Sequence, residues 1–303
     1  MMQSNDYSGT GVTASSWDEK YLTGRKSAWT ENLLVAREIN RRMTNDPSMH
    51  WLNWFFEKFL DRKPGKVLSI GCGDGAHELI MARCGYVDHV HGFDASSAGI
   101  ARAKAAADTE GLAATFEVKL FEEFSADPPI AVYDMVMFAG ALHHVRNIED
   151  MLFAVQRTLK PEGLLLVNEY IGPAYQLYPK NQLDIVNLVL RLSSPEMRLG
   201  HDTEVRLPTM QMIYEADPSE GVRAPLIRPL LPHFFSPLFE RLNGGGLLHA
   251  LFDGLNANKV NDNSPESNAY IAACIDLENI LTASNFLPHD FMFGCYKNDK
   301  SNS

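Results

Sequence analysis

The stretch that most constrains the fold is residues 67–78, which read VLSIGCGDGAHE. A short apolar segment runs into three glycines within five residues, and a helical pattern begins directly after them. Glycine raises the entropic cost of folding, so a cluster of glycines indicates a turn or a close contact that needs them. The stretch therefore predicts a buried strand, a tight glycine turn and a helix, with a candidate ligand site at the turn.

Strand and helix patterns alternate along residues 63–171. Five short apolar segments predict strands, at residues 67–70, 89–93, 115–120, 134–138 and 164–170. Helical patterns lie between them, at residues 76–84, 96–108 and 148–159. Buried strands that alternate with helices are typical of parallel sheets covered on both faces. We therefore predict an α/β fold with a doubly wound, mostly parallel Rossmann-like sheet.

Three further regions flank this core. Residues 1–16 are polar and predict a disordered tail, whereas residues 17–62 have an N-terminal helical pattern. Ten of the sixteen prolines fall in residues 172–267, where the strand–helix alternation stops. We predict that this stretch is a helical cap, inserted after strand five, that binds the acceptor. A helix at 269–282 and a strand at 291–296 then return the chain to the core, which comprises residues 63–171 and 268–298.

Composition excludes several kinds of function. The 303-residue chain has a formal net charge of −11 and no long Lys/Arg run, which argues against a nucleic-acid partner. No signal peptide or membrane span is evident, and the four cysteines lack CxxC spacing, so we expect a cytoplasmic protein with reduced thiols and no membrane partner. The sequence shows neither HExxH nor a compact Asp/His cluster, and we expect no metal site.

The glycine turn differs from two common phosphate-binding loops. It lacks the GxxxxGK[ST] pattern, and its spacing is GxGxG instead of the dinucleotide fingerprint GxGxxG. Asp94 ends the second predicted strand, where a carboxylate can accept hydrogen bonds from both hydroxyls of a ribose. A ribose-bearing cofactor would fit this pair of features. Alternatively, Asp94 caps the helix that follows it.

Four motifs, taken together, narrow the choice of cofactor. VLSIGCGDG, HGFDAS, YDMVMFAGALHHV and LKPEGLLLVNEY occur in this order along the chain. In sequence and spacing they resemble the class I S-adenosylmethionine-dependent methyltransferases over about residues 66–171 and, more loosely, over 268–297. The resemblance implies a last antiparallel strand. It also implies S-adenosylmethionine as the cofactor and S-adenosylhomocysteine as its product, bound across the ends of strands one, two and four.

The resemblance also implies which residues contact the cofactor. In the core they are Gly71, Cys72, Gly73, Gly75, Asp94, Ala95, Leu120, Phe121, Phe138, Ala139 and Gly140. Many relatives fold an N-terminal segment over the cofactor, which here points to Tyr21 and Arg25, although these residues also fit an exposed helix start. Family members often carry an acidic residue after strand three, where this chain has Lys119, Leu120 and Phe121. The backbone there, or Glu122, would then contact the adenine.

Candidate catalytic residues follow strands four and five. A base is needed only when the acceptor atom carries a proton, and His143, His144 and Glu169 are candidates for that role. The two histidines also fit a packing role at a helix start, and Glu169 fits a helix cap. Asn168, Tyr170 and Tyr175 are candidate acceptor contacts.

These residues predict methyl transfer to an O or N atom, less readily to C, of a small organic or peptide-like acceptor. The alternatives are a non-catalytic cofactor-binding scaffold and a nicotinamide-dependent oxidoreductase. The nicotinamide alternative is disfavoured by the GxGxG spacing and by the KPEG turn before strand five.

Overall fold

The computed structural model describes Asp18 and residues 28–299, and this part of the chain contains one seven-stranded sheet of order β3-β2-β1-β4-β5-β7-β6. The strands are β1 (Lys66–Ile70), β2 (His89–Asp94), β3 (Ala114–Val118), β4 (Tyr133–Ala139), β5 (Leu159–Tyr170), β6 (Ser236–Leu242) and β7 (Phe291–Lys297). β7 pairs antiparallel with β5 and β6, whereas the pairs among β1–β5 are parallel. The predicted doubly wound, mostly parallel sheet with an antiparallel last strand is confirmed.

Helices cover both faces of the sheet. Within the described residues they are α1 (Ala28–Glu31), α2 (Leu33–Thr44), α3 (Trp51–Trp54, continued by a π-helical turn, Phe55–Phe59), α4 (Ala76–Arg83), α5 (Ser97–Glu110), α6 (Phe121–Ala126), α7 (Ile148–Thr158), α8 (Lys180–Leu192), α9 (Met210–Ala216), α10 (Ala224–Phe234), α11 (Leu248–Asp253), α12 (Ala257–Val260) and α13 (Pro265–Ala283). No helix in this part of the chain is both long and apolar enough to cross a bilayer.

The alternation of side chains along the strands builds two cores. Leu68 of β1 packs with residues of α7 and α10, whereas its neighbour Val67 packs with α3 and α4 on the opposite face. Successive strand residues point to opposite faces, so a strand that is apolar throughout must be covered on both sides. This explains why the strand segments read as continuous apolar runs.

The predicted insertion, residues 172–267, needs correction. It contains α10 and β6, and β6 pairs with β7 at the edge of the sheet, so the prediction that this stretch lies wholly outside the core is wrong. The strand is concealed in the sequence because Pro237 lies within it, and prolines also crowd the preceding helix. Proline is tolerated there because β6 is an edge strand with one unpaired side.

Other parts of the insertion, including α8 and α11, pack against the N-terminal helices. Trp29 of α1 and Val35 of α2 share a buried cluster with residues of α8, α11 and α13, among them Val186, Leu251 and Ile271. This third core holds the N-terminal helices beside the sheet. It brings α1 and α2 to the ends of β4 and β5, where the candidate site lies, while α3 packs in the same core as Val67.

Candidate functional site

The glycine turn after β1 has a backbone that only glycine adopts easily. Gly71, Gly73 and Gly75 have φ of +71°, +57° and +78°, a region disfavoured for other residues. The amides of Gly71 and Cys72 both donate to the carbonyl of Phe93, at 2.9 and 3.1 Å, which ties the turn to the end of β2. A Cβ atom at Gly71 would lie 2.5 Å from the Cβ atom of Ala141, so the turn also passes close to the segment after β4.

Asp94 closes this turn at the end of β2. Its Oδ2 accepts from the Gly73 amide at 2.9 Å and its Oδ1 from the Ser96 amide at 2.8 Å. The helix cap of α5 is Ser96, whose hydroxyl accepts from the Gly99 amide at 3.0 Å. A carboxylate can accept about four hydrogen bonds, so Asp94 can bind further donors. Burial raises the pKa of Asp94, and its two backbone donors oppose that rise.

A cavity of about 260 Å³, here called the turn cavity, lies against the glycine turn. Its described lining residues come from the turn, the start of α4, the end of β2, the start of α6 and the segment after β4: Gly71, Cys72, Gly73, Asp74, Ala76, His77, Asp94, Ala95, Phe121, Ala139, Gly140, Ala141 and His144. The cavity thus combines exposed backbone and two carboxylates, those of Asp74 and Asp94, with apolar walls. This composition suits a small organic molecule with hydroxyl groups.

A second cavity of about 560 Å³, here called the aromatic cavity, adjoins the first. The described residues that line it come from α1–α3, from the start of α4, from the ends of β4, β5, β6 and β7, and from the turn after β4: Trp29, Thr30, Ala36, Ile39, Asn40, Met43, His50, Trp51, His77, Ala139, Gly140, His143, Asn168, Tyr170, Asn243 and Phe291. His77, Ala139 and Gly140 line both cavities. Among these described lining residues there is no Asp, Glu, Lys or Arg.

His143 and Glu169 form a buried pair beside the aromatic cavity. Nδ1 of His143 lies 2.7 Å from Oε2 of Glu169, while Oε1 of Glu169 accepts from the amides of Ala141 and Leu142, each at 2.7 Å. Glu169 therefore both caps the 3₁₀ turn Leu142–His144 and orients the imidazole. Burial lowers the pKa of His143, but the hydrogen bond and charge of Glu169, with Glu220 nearby, outweigh it and raise the pKa overall.

His144 is held by a second set of partners. Its Nδ1 lies 2.9 Å from the hydroxyl oxygen of Ser219, and that hydroxyl in turn donates to Asp217 at 2.6 Å. Burial and the neighbouring His143 lower the pKa of His144. The Nε2 atoms of His143 and His144 lie 3.6 and 3.9 Å from the carboxylate oxygens of Glu220. We call His143, His144 and Glu220 the His–Glu cluster.

Comparison with known proteins identifies the family. A model of the methyltransferase domain family matches residues 37–197, which is more than half of the 303-residue chain. The chain belongs to the class I S-adenosylmethionine-dependent methyltransferases. The predicted resemblance is therefore confirmed, and S-adenosylmethionine is the cofactor of this methyltransferase.

Two relatives with different names are similar to part of the chain. The methyltransferase is 35% identical over 101 residues to the ubiquinone biosynthesis O-methyltransferase of Maricaulis maris, covering 33% of this chain and 39% of that protein. It is 32% identical over 144 residues to the tRNA U34 carboxymethyltransferase of Hydrogenovibrio crunogenus, covering 46% of this chain and 43% of that protein. The chain thus matches less than half the length of either relative.

Solved structures give a more distant comparison. One is the phosphoethanolamine N-methyltransferase 2 of Haemonchus contortus in complex with S-adenosyl-L-methionine. It is 15% identical, with a TM-score of 0.46, covering 98% of this chain and 59% of that chain.

Most of the residues predicted to contact the cofactor line the turn cavity of the methyltransferase. They are Gly71, Cys72, Gly73, Asp94, Ala95, Phe121, Ala139 and Gly140. Gly75, Leu120 and Phe138 are not among its described lining residues. Gly75 instead precedes α4, Leu120 precedes α6, and the side chain of Phe138 is fully buried in the core between the sheet and α7.

Tyr21 and Arg25 lie outside the described residues. Their neighbour Asp18 is described, and it accepts from the Ser96 hydroxyl at 2.5 Å and from the Ala98 amide at 3.0 Å. These contacts lower the pKa of Asp18. Asp18 therefore lies at the start of α5, close to Asp94 and Ala95 of the turn cavity.

The three predicted acceptor contacts lie in different places. Asn168 and Tyr170 line the aromatic cavity, whereas Tyr175 is absent from the described lining of either cavity, and its amide donates to the Gly221 carbonyl at 3.3 Å. Asn243 is the one described residue of the predicted cap that lines the aromatic cavity; α1–α3 supply much of that wall. Sequence reasoning also missed His77, although its position directly after the glycine turn was a signal that could have identified it.

Proposed function

We propose that this methyltransferase transfers the methyl group to an oxygen or nitrogen atom of a small, uncharged, aromatic acceptor held in the aromatic cavity. The observation that carries the proposal is that the turn cavity and the aromatic cavity share Ala139 and Gly140 at the end of β4 and His77 at the start of α4. A shared wall allows two ligands to meet with their reacting atoms in contact. Alignment of this kind accounts for much of the acceleration when both reactants are bound.

The cofactor would occupy the turn cavity. Asp94 would accept from its ribose hydroxyls, Ala95 and Phe121 would border its adenine, and the backbone of residues 71–73 would contact its amino-acid part. When bound, S-adenosylmethionine supplies an activated methyl group on a sulfonium. Burial lowers the pKa of His77 to about 4, so this imidazole is uncharged at neutral pH and does not repel a cationic ligand.

The lining of the aromatic cavity supports an uncharged acceptor. Trp29, Trp51 and Phe291 offer ring contacts, while the amides of Asn40 and Asn168 offer hydrogen bonds to an acceptor in the cavity. A carboxylate or phosphate there would lose its hydration without a Lys or Arg from the described lining to compensate, which is unfavourable. The same apolar walls exclude water from the sulfonium. We also expect a small-molecule acceptor rather than a nucleic acid, and a cytoplasmic protein.

The His–Glu cluster would activate an acceptor that carries a proton. His143 borders the aromatic cavity and His144 borders the turn cavity, so the cluster lies where the two ligands meet. Glu169 holds the His143 ring in place through Nδ1. The acceptor proton would leave toward this cluster as the new bond to the methyl carbon forms.

An acceptor screen tests the proposal. Purified protein is incubated with S-adenosylmethionine and matched sets of neutral phenols, neutral heteroaromatic amines and the corresponding carboxylates, and products are detected by mass spectrometry as a gain of about 14 Da per methyl. We expect products from the neutral sets. Preference for the carboxylates would contradict the assigned acceptor class. Cofactor binding without product from any set would favour the alternative of a non-catalytic scaffold.

A further inference from the structure

The His–Glu cluster joins two distant parts of the chain. His143 and His144 lie in the 3₁₀ turn after β4, whereas Glu220 lies between α9 and α10. The two histidines are 8% and 7% exposed, and the side chain of Glu220 is 32% exposed. One nitrogen of each ring and one oxygen of Glu220 all lie within 4.8 Å of one another.

The outer hydrogen bonds determine the tautomer of each neutral imidazole. Glu169 is a carboxylate acceptor, so Nδ1 of His143 carries the hydrogen in their 2.7 Å contact. The Ser219 hydroxyl donates its own hydrogen to Asp217, so it accepts from Nδ1 of His144 at 2.9 Å. In both neutral rings the lone pair therefore lies on Nε2, and both Nε2 atoms face the Glu220 carboxylate.

The distances in the cluster suit a shared cation. The Nε2–oxygen separations of 3.6 and 3.9 Å exceed those of normal hydrogen bonds. Ligand atoms that each lie about 2.1 Å from a zinc ion stand roughly 3.0–3.6 Å apart at angles of about 90–120°, so the first separation fits and the second must shorten by a few tenths of an ångström. We propose, in contrast to the expectation of no metal site from the sequence, that the His–Glu cluster binds one divalent transition-metal ion through Nε2 of His143, Nε2 of His144 and the carboxylate of Glu220.

The surroundings of the cluster match those of metal-binding histidines. Such histidines usually donate their other ring hydrogen to a carboxylate or another acceptor, as His143 does to Glu169 and His144 does to Ser219. Two imidazole nitrogens and one carboxylate favour zinc, cobalt, iron or manganese over magnesium and calcium, which prefer oxygen ligands.

The charges of the site are compatible with a cation beside the cofactor. Glu169, Glu220 and Asp217 contribute three carboxylates around two neutral rings, so a divalent ion leaves a local charge of about −1. A cationic sulfonium in the turn cavity is then not repelled. The proposal that the cluster binds a metal ion does not depend on the proposed methyl transfer. Only its role rests on that function: with the ion bound both Nε2 atoms are occupied, so the ion, and not an imidazole, would lower the pKa of an acceptor hydroxyl.

Direct metal titration tests the site without any acceptor. The full-length protein is freed of metal with a chelator, dialysed and titrated with Co²⁺, while visible absorption and calorimetry are recorded; Zn²⁺ retained after gel filtration is counted by mass spectrometry. We expect one equivalent of either metal. The Glu220→Ala and His144→Asn variants are expected to weaken Co²⁺ binding by at least about tenfold.

The matched control is Glu117→Ala. Glu117 pairs with Nε2 of His91 at 3.3 Å on β2 and β3, so its removal alters a histidine–carboxylate pair elsewhere in the protein. This variant should bind Co²⁺ like the unmodified protein. S-Adenosylhomocysteine binding by Glu220→Ala confirms that this variant is folded. The absence of stoichiometric Co²⁺ binding, or equal affinity in Glu220→Ala and the unmodified protein, would overturn the proposal, whatever the outcome of the acceptor screen.

Discussion

The carboxylate of Glu169 lies 2.7 Å from Nδ1 of His143 and accepts two backbone amides through its other oxygen. One buried side chain at the end of β5 thus fixes the shape of the turn after β4 and the orientation of the imidazole. The two strands are adjacent and parallel, so their carboxyl ends bring these groups to the same edge of the sheet.

The Glu169→Gln variant tests this arrangement. A carboxamide has one accepting oxygen: with its NH₂ group toward the two backbone amides these donors lose their partner, and with it toward His143 the imidazole must move its hydrogen to Nε2 and loses a charged acceptor. We expect the free energy of unfolding to fall by about 1–3 kcal/mol in urea denaturation. Glu117→Gln, a control at a half-exposed side chain, should change it by less than about 0.5 kcal/mol. Equal stability of the two variants would show that Glu169 does not support the turn.

Substitutions at two glycines distinguish the cost of backbone strain from the cost of close packing. Gly71 and Gly85 both have positive φ, +71° and +66°, but a Cβ atom at Gly71 would meet Ala141 at 2.5 Å, whereas at Gly85 no atom lies within 4 Å. Gly85→Ala should cost only the left-handed backbone penalty, about 1–2 kcal/mol. Gly71→Ala should cost more and should weaken S-adenosylhomocysteine binding. Similar stability and similar affinity in the two variants would contradict the assigned close approach.

A buried carboxyl should make stability depend on pH. Asp290 is 1% exposed, and burial raises its pKa from 3.8 to about 7. Between these pH values the folded protein holds a proton that the unfolded chain has lost, so stability falls as pH rises from about 4 to about 7. Asp290→Asn removes this effect and should stabilise the protein at pH 8 by at most about 4 kcal/mol.

The Asp290→Asn substitution keeps an oxygen that can accept from Gln182, which now donates to Asp290 at 2.8 Å. Urea denaturation at pH 5 and pH 8 measures the effect, with the exposed Asp108→Asn as control. If Asp290→Asn were no more stabilising at pH 8 than at pH 5, the raised pKa would be wrong.

The local patterns of the core were predictable from sequence. The glycine turn, Asp94 and the segment after β4 lie in one continuous α/β unit, where strand order and helix position follow from short-range periodicity. β6 was not predictable, since Pro237 and the prolines before it conceal an edge strand that only its pairing with β7 reveals.

The parts of the site that depend on long-range packing were also missed. The wall formed by α1–α3 and the position of Glu220 beside His143 both join residues far apart in the chain. Neither follows from spacing. Spacing also does not show where Tyr175 lies. This residue belongs to the predicted cap but is absent from the described lining of both cavities.

The most direct test of the central claim is calorimetric titration with S-adenosylhomocysteine. We expect one site with micromolar affinity, about −8 kcal/mol, and no binding of NAD. Asp94→Ala, which removes hydrogen bonds from ribose hydroxyls to a carboxylate, should weaken binding by about 2–3 kcal/mol, whereas the exposed Asp108→Ala should leave it unchanged. Absence of binding, or an unaltered dissociation constant in Asp94→Ala, would contradict the placement of the cofactor in the turn cavity.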